Sequence, residues 1–118
     1  MTLRYFKLSE FECPCCGANE MKTEFLERLD RARALADVPF RINSGYRCRE
    51  HNKTIPGSSP SSSHMLGWAA DIACISSRAR FTIVKSLLDV GFTRLRPYDT
   101  FIHVDADPTK PPEVMWLK

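Results

Sequence analysis

The chain predicts an α+β fold, with helices packed on one small, mostly antiparallel sheet. Three patterns carry that prediction. Apolar residues recur at helical spacing over 21–36 and again over 77–90. Short alternating or apolar runs at 40–43, 68–75, 92–95 and 101–105 have the length of strands. Glycine, proline and serine punctuate the gaps between them. With 118 residues, 43% hydrophobic and 26% charged, the chain suits one domain spanning 1–118 rather than two ordinary ones.

The elements follow in order. Residues 1–20 read as irregular, punctuated by Cys13-Pro14-Cys15-Cys16-Gly17. Met21, Phe25, Leu29, Ala32 and Ala36 mark one face of an amphipathic helix, with Asn19 as its N-cap and Pro39 just past its end. Arg28, Arg31 and Arg33 interleave there with Glu24, Glu27 and Asp30, which predicts a solvated face laced with intrahelical ion pairs. Phe40-Arg41-Ile42-Asn43 alternates as a short strand leading into Ser44-Gly45-Tyr46-Arg47. Residues 50–63, with Pro56, Gly57, Pro60 and five serines, read as a long exposed loop, either functional or mobile.

Trp68 to Ile75 fits a buried strand that carries Asp71. A second helix runs from about Ser77 to Val90, capped by Ser76 or Ser77, with Phe81, Val84, Leu87 and Leu88 inward and Gly91 as its stop. Phe92 to Leu95 and Phe101 to Asp105 form a strand pair joined through Arg96-Pro97-Tyr98-Asp99. A proline-rich tail, 108–112, precedes a short apolar end containing Trp116.

Composition narrows the function classes. No apolar run approaches the length of a membrane span, so no membrane insertion is expected. The opening residues lack the apolar core and cleavage site of a signal peptide. Synthesis in the cytoplasm is therefore expected, with another route to any extracytoplasmic target. The formal charge of +3 is scattered rather than clustered, which argues against a nucleic-acid partner and suits an anionic polymer such as cell wall. A monomer is expected.

The chemistry concentrates in Ser62-Ser63-His64-Met65-Leu66-Gly67-Trp68-Ala69-Ala70-Asp71 and in Phe101-Ile102-His103-Val104-Asp105. They offer two imidazoles and a carboxylate, the ligand mix of a catalytic zinc site with one position left for water. His64 and Asp71 are seven residues apart, wrong for one helical face but suited to a turn entering a strand, where Gly67 lets the backbone bend. A lone histidine is more often a surface or hydrogen-bonded core residue, and Asp71 alone could cap a turn. Two of the three histidines, however, sit in apolar strand-like contexts, where an uncompensated ring is costly to bury. The third, His51, lies among charged neighbours and reads as exposed.

Ser62-x-His64-x-x-Gly67-x-Ala69-x-Asp71 resembles the Ser-x-His-x-x-Gly-x-Ala-x-Asp signature of the M15 zinc peptidases, which act on peptidoglycan. Ser44-Gly45-Tyr46-Arg47 and Phe101-Ile102-His103-Val104-Asp105 look like the flanking blocks of its phage and prophage members, so that the resemblance spans roughly residues 10–106. It implies a Hedgehog/D-Ala-D-Ala carboxypeptidase fold, with Zn2+ bound by His64, Asp71 and His103. It also implies a wall-peptide substrate, cut by a D,D-carboxypeptidase or an endopeptidase. Arg47 matches a family arginine that contacts substrate, although it could merely anchor its loop. Ser62 is expected to hydrogen-bond near the metal rather than act as a nucleophile.

Many M15 enzymes place a Glu or Asp three residues before the last histidine ligand, where this chain has Thr100. Asp99, one residue earlier, and Asp105, on the strand face of His103, are the substitutes for a general base, with Asp99 favoured. Asp105 could instead orient His103. The departure at Thr100 supports a rival reading, a catalytically inactive wall-binding or virion module. Otherwise a lysis enzyme or a virion-borne one fits equally.

Cys13, Cys15, Cys16, Cys48 and Cys74 make an odd count. Reduced thiols, a disulfide to Cys48 in an oxidising compartment, and a structural zinc on Cys13, Cys15, Cys16 and Cys48 all stay open, the adjacent pair being awkward for one tetrahedron. Cys74, in an apolar strand, reads as a small core residue.

Overall fold

The computed structural model describes residues 1–117. Helices α1 (Thr23–Ala36) and α3 (Ser77–Asp89) pack against each other and cover one face of a five-stranded sheet. Its strands are β1 (Ile42–Ser44), β2 (Ala69–Ala73), β3 (Arg94–Pro97), β4 (Phe101–Asp105) and β5 (Val114–Met115). They lie in the order β1-β2-β4-β3-β5, antiparallel throughout except for the parallel β3–β5 edge. This is the α+β, mostly antiparallel class expected.

Alternation along the strands separates two chemistries. Ala70 and Ile72 of β2, Leu95 of β3, and Ile102 and Val104 of β4 are buried against Phe25, Leu26, Leu29, Ile83 and Leu87 of the helices. The intervening residues, Asp71, Arg94, Arg96, His103 and Asp105, face the other way and line one cavity. Register aligns them, since Asp71 is opposite His103, Arg96 opposite His103, and Arg94 opposite Asp105.

Several expectations shift. α1 starts after Lys22, and Asn19 is not its cap; its side chain accepts from Met21 N–H at 3.0 Å and donates to the Leu8 carbonyl at 2.9 Å. The α1 arginines form no ion pairs with its carboxylates among the described residues. Instead buried Asp30 accepts the N–H groups of Arg4 (3.1 Å) and Tyr5 (3.0 Å), while Arg28 and Arg33 lie over the rings of Phe92 and Tyr5. The polar side of this helix thus clamps the N-terminal stretch.

On α3 the inward stripe is Ile83, Ser86 and Leu87, leaving Phe81 71% and Leu88 49% exposed, against expectation. Ser86 is tolerated inside because its hydroxyl donates to the Ile83 carbonyl at 2.7 Å. Phe92 precedes β3 rather than opening it, and its ring packs edge-on against Phe25 at 5.4 Å.

The serine-rich segment is not wholly a loop. Helix α2 (Arg49–Thr54) opens it, with the Cys48 sulfur accepting the His51 N–H at 3.4 Å, and a 3-10 turn at Ser63–Leu66 closes it. Near the N-terminus, Cys13 to Ala18 form a tight knuckle. Cys13 N–H donates to the Ala18 carbonyl and Gly17 N–H to the Cys13 carbonyl, both at 2.8 Å, with Gly17 at φ +74°. Burial pushes the Cys13 thiol up, but nearby N–H groups of Cys48, Cys15 and Cys16 outweigh it and lower the pKa to about 7.

Candidate metal centre

The ligand turn is built by glycine and serine. Gly67 sits at φ +77°, and a Cβ there would lie 2.0 Å from the Glu20 carbonyl oxygen, so only glycine fits. Ser62 caps the Ser63–Leu66 turn, its hydroxyl accepting the His64 N–H at 3.2 Å. Gly45 passes so close to Phe11 that a Cβ would meet the Phe11 backbone at 2.7 Å. That approach leaves the Gly45 carbonyl 2.8 Å from His64 Nδ1, which donates to it. The proton of His64 is thereby placed on Nδ1, and its Nε2 lone pair is free.

Nε2 of His64 lies 3.3 Å, and Nδ1 of His103 3.2 Å, from the same oxygen, Oδ1 of Asp71. The three donor atoms lie within 4.8 Å of one another. The other oxygen of Asp71 accepts from Arg47 Nη2 at 3.2 Å. Arg47 is itself fixed by Ser44 Oγ (3.0 Å from Nε) and Asn52 Oδ1 (3.4 Å from Nη1), and only 8% of it is exposed.

His103 is held from behind. Its Nε2 donates to Asp105 Oδ2 at 2.7 Å, and Asp105 Oδ1 accepts from Arg94 Nε at 2.6 Å and from Asp107 N–H at 3.2 Å. Arg94 also donates to the Pro111 carbonyl and stacks on Trp116, tying the tail to the site.

Electrostatics match this wiring. Burial pushes the Asp71 carboxyl up, but hydrogen bonds from His103 and His64 hold it well below the ordinary carboxylate range. Burial pulls His103 down, yet the carboxylates of Asp105 and Asp71 raise it overall. Asp105, pushed up by burial, is lowered on balance by His103 and Arg94. Two ring nitrogens, one from each histidine, crowd a single carboxylate oxygen. Replacing the proton on His103 Nδ1 by a divalent cation satisfies the same atoms and leaves Asp105 holding Nε2–H. The donor set therefore fits such an ion, with an outer shell that fixes both rings.

The centre opens into a cavity of about 260 Å3. Arg47, Arg94, Arg96 and Lys110 line it against two carboxylates, Asp71 and Asp105, with Tyr98, Phe101, Trp116 and the 55–59 loop forming walls. Three nitrogen and oxygen donors facing an open cavity are the arrangement of a catalytic rather than a closed metal site.

A family model described as Peptidase M15 matches residues 4–105. The chain belongs to the Peptidase M15 family. Membership in this peptidase family and the open donor cluster make the cavity the place to look for peptide-bond hydrolysis. No curated protein matches the chain.

The structure brings together His64, Asp71 and His103, and sets Arg47, Ser62 and Asp105 around them. It does not bring Asp99 there. Asp99 is exposed in the β3–β4 turn, its carbonyl accepting from Arg80 Nη2 at 3.2 Å, and it lies outside the cavity lining. Stacked Tyr98 and Phe101 occupy that part of the wall. Sequence reasoning missed Arg94, Arg96 and Asn52. The first two were accessible in principle, since extending the strand to Pro97 puts both on the face of His103 and Asp105. Nothing in the sequence marked Asn52.

Proposed function

We propose that this Peptidase M15 member is a zinc-dependent metallopeptidase that hydrolyses peptide bonds of bacterial peptidoglycan, as a D,D-carboxypeptidase or an endopeptidase of phage or prophage type. The observation that carries the reading is the convergence of His64 Nε2, Asp71 Oδ1 and His103 Nδ1 at the floor of an open, basic cavity. His64, Asp71 and His103 would hold a zinc ion there, which would supply Lewis-acid polarisation and lower the pKa of water towards neutrality.

The chain's own residues supply the rest. Arg47 binds the outer oxygen of Asp71, keeping that carboxylate ionised and aimed. Asp105 retains the proton on His103 Nε2, and Arg94 keeps Asp105 charged. Arg96 lines the cavity with a buried Nε that has no partner among the described residues, while its guanidinium lies over Tyr98. An unpartnered buried donor is costly, and a carboxylate of a wall peptide would satisfy it. Ser62 serves the site by capping the turn of His64.

A second reading has one observation in its favour. Apart from Asp71, Asp105 is the sole carboxylate in the cavity lining among the described residues, and its oxygens are already engaged by His103 and Arg94. Among the described lining residues every carboxylate is thus engaged, which suits a wall-binding or virion module without catalysis.

Incubation with purified sacculi, with and without chelator, separates the two. The peptidase reading expects soluble fragments with new amino and carboxyl ends in the mass spectrum, lost on chelation and restored by zinc. Retention on sacculi without new ends selects the binding module. Undiminished cleavage in chelator contradicts the metal mechanism.

A further inference from the structure

A second set of metal-type donors lies outside the cavity. The sulfur atoms of Cys13, Cys15 and Cys48 fall within 4.8 Å of one another, and Cys16, the next residue of the same knuckle and exposed, stands outside that group. Tetrahedral zinc, with Zn–S bonds of about 2.3 Å, sets its sulfur ligands roughly 3.8 Å apart, so the observed grouping needs only side-chain adjustment. All four thiols are free.

The backbone around them is already arranged for thiolates. Cys48 N–H points at Cys13 Sγ at 3.4 Å, and His51 N–H at Cys48 Sγ at 3.4 Å. N–H groups directed at sulfur stabilise negative charge there. The knuckle from Cys13 to Ala18, turned at Gly17 with φ +74°, gathers the sulfurs of Cys13 and Cys15 beside Cys48 from a single tight loop that also carries Cys16. Cys13 is buried while Cys15 and Cys16 are exposed, so an ion has a path of entry.

We propose that Cys13, Cys15 and Cys48, with Cys16 as the fourth donor, form a second metal site that takes a thiophilic divalent cation of the zinc class. Each thiol releases its proton on ligation, and four sulfur donors leave no position for substrate water, so the site is structural. Its place in the fold gives it a purpose. The N-terminal knuckle is joined to Cys48, which directly follows Arg47, the residue that grips Asp71. Tyr46 N–H to the Phe11 carbonyl (2.9 Å) and Arg47 N–H to the His64 carbonyl (3.2 Å) are further ties on that segment. The thiolate site thereby fixes the segment whose Gly45 carbonyl and Arg47 guanidinium orient the ligands of the open centre.

The test is metal content and cobalt spectroscopy on reduced full-length chain, with variants that empty one site at a time. The wild type should bind two zinc ions per chain, and H64A/H103A should keep one. When cobalt is loaded into H64A/H103A, a thiolate-to-cobalt charge-transfer band should appear in the near ultraviolet. It should be absent in Cys15→Ser/Cys48→Ser. Should that cysteine variant fail to fold, H64A/H103A decides alone. No bound metal and no charge-transfer band in H64A/H103A overturns the proposal. So does an intact mass two hydrogens short before reduction, which assigns the cysteines to a disulfide.

Discussion

The two faces of the central sheet are made by the same strands and do opposite work. Toward the helices, Ile72, Leu95, Ile102 and Val104 are almost fully buried and carry no polar group. Toward the cavity, Asp71, Arg94 and Asp105 are also buried and His103 is partly so, yet every one is charged or ionisable and each is satisfied by a neighbour. One face is stabilised by removal from water and tolerates changes of shape within limits. The other depends on mutual hydrogen bonding among buried groups, so that losing a partner strands the rest. The difference teaches where stability and where chemistry should respond to substitution.

The sharpest break in that comparison is His103→Ala. It should abolish metal retention at the open centre and reduce wall-peptide cleavage by at least about 10³-fold, since a metal supplies several kcal/mol of transition-state stabilisation. Metal analysis and fragment release measure both.

Ile102→Ala, one residue away on the opposite face, should reverse the pattern. A cost of about 2–5 kcal/mol in folding stability is expected for a large-to-small change in a packed core. Zinc affinity per folded molecule should stay the same. Urea unfolding combined with metal titration reads the two separately, and a loss of metal affinity in the folded state would blur the distinction between faces.

Asp105→Asn tests the layer behind the ligands. It removes the acceptor charge for His103 Nε2 and leaves Arg94 without its carboxylate partner, so zinc affinity should fall about 10–100-fold. A competitive chelator assay measures this.

Acidity should act on the same atoms with a definite sign. Asp71 and Asp105 have lowered pKa values in the folded protein, so their contribution is complete above the ordinary carboxylate range and lost as pH falls through their folded values. His103 is raised in the metal-free protein, so its contribution there is complete below the ordinary histidine pKa and lost as pH rises through its folded value. Because the cation and the proton compete for Nδ1, metal affinity should weaken about tenfold per pH unit once pH drops below that raised value. Isothermal titration across pH follows it, and pH-independent affinity would mean that His103 is not a ligand. At the small end, Asp99→Ala should leave cleavage and metal binding unchanged, with stability altered by no more than about 0.5 kcal/mol.

Much of this was legible beforehand where a local rule coincided with the tertiary outcome. Helical spacing marked α1, Ser76 marked the start of α3, and the apolar runs located β2 and β4. The convergence of His64, Asp71 and His103 was legible because polar residues in strand-like apolar settings need partners. What escaped depended on contacts distant in sequence. β5 exists by pairing with β3, and α2 is opened by a cysteine rather than by an ordinary cap. Phe81 has the right spacing for the core, but the inward stripe of α3 centres on Ile83 and Leu87, leaving it in solvent. Asp99 failed for a related reason: proximity in sequence to His103 says nothing about which way a hairpin turn faces.

The measurement closest to the central claim is a zinc-edge anomalous diffraction map of crystals grown with zinc. The account predicts an ion bonded to His64 Nε2, a carboxylate oxygen of Asp71 and His103 Nδ1, with a solvent molecule in the remaining position. A map without an ion at these side chains, or with a fourth protein donor closing the site, would contradict it.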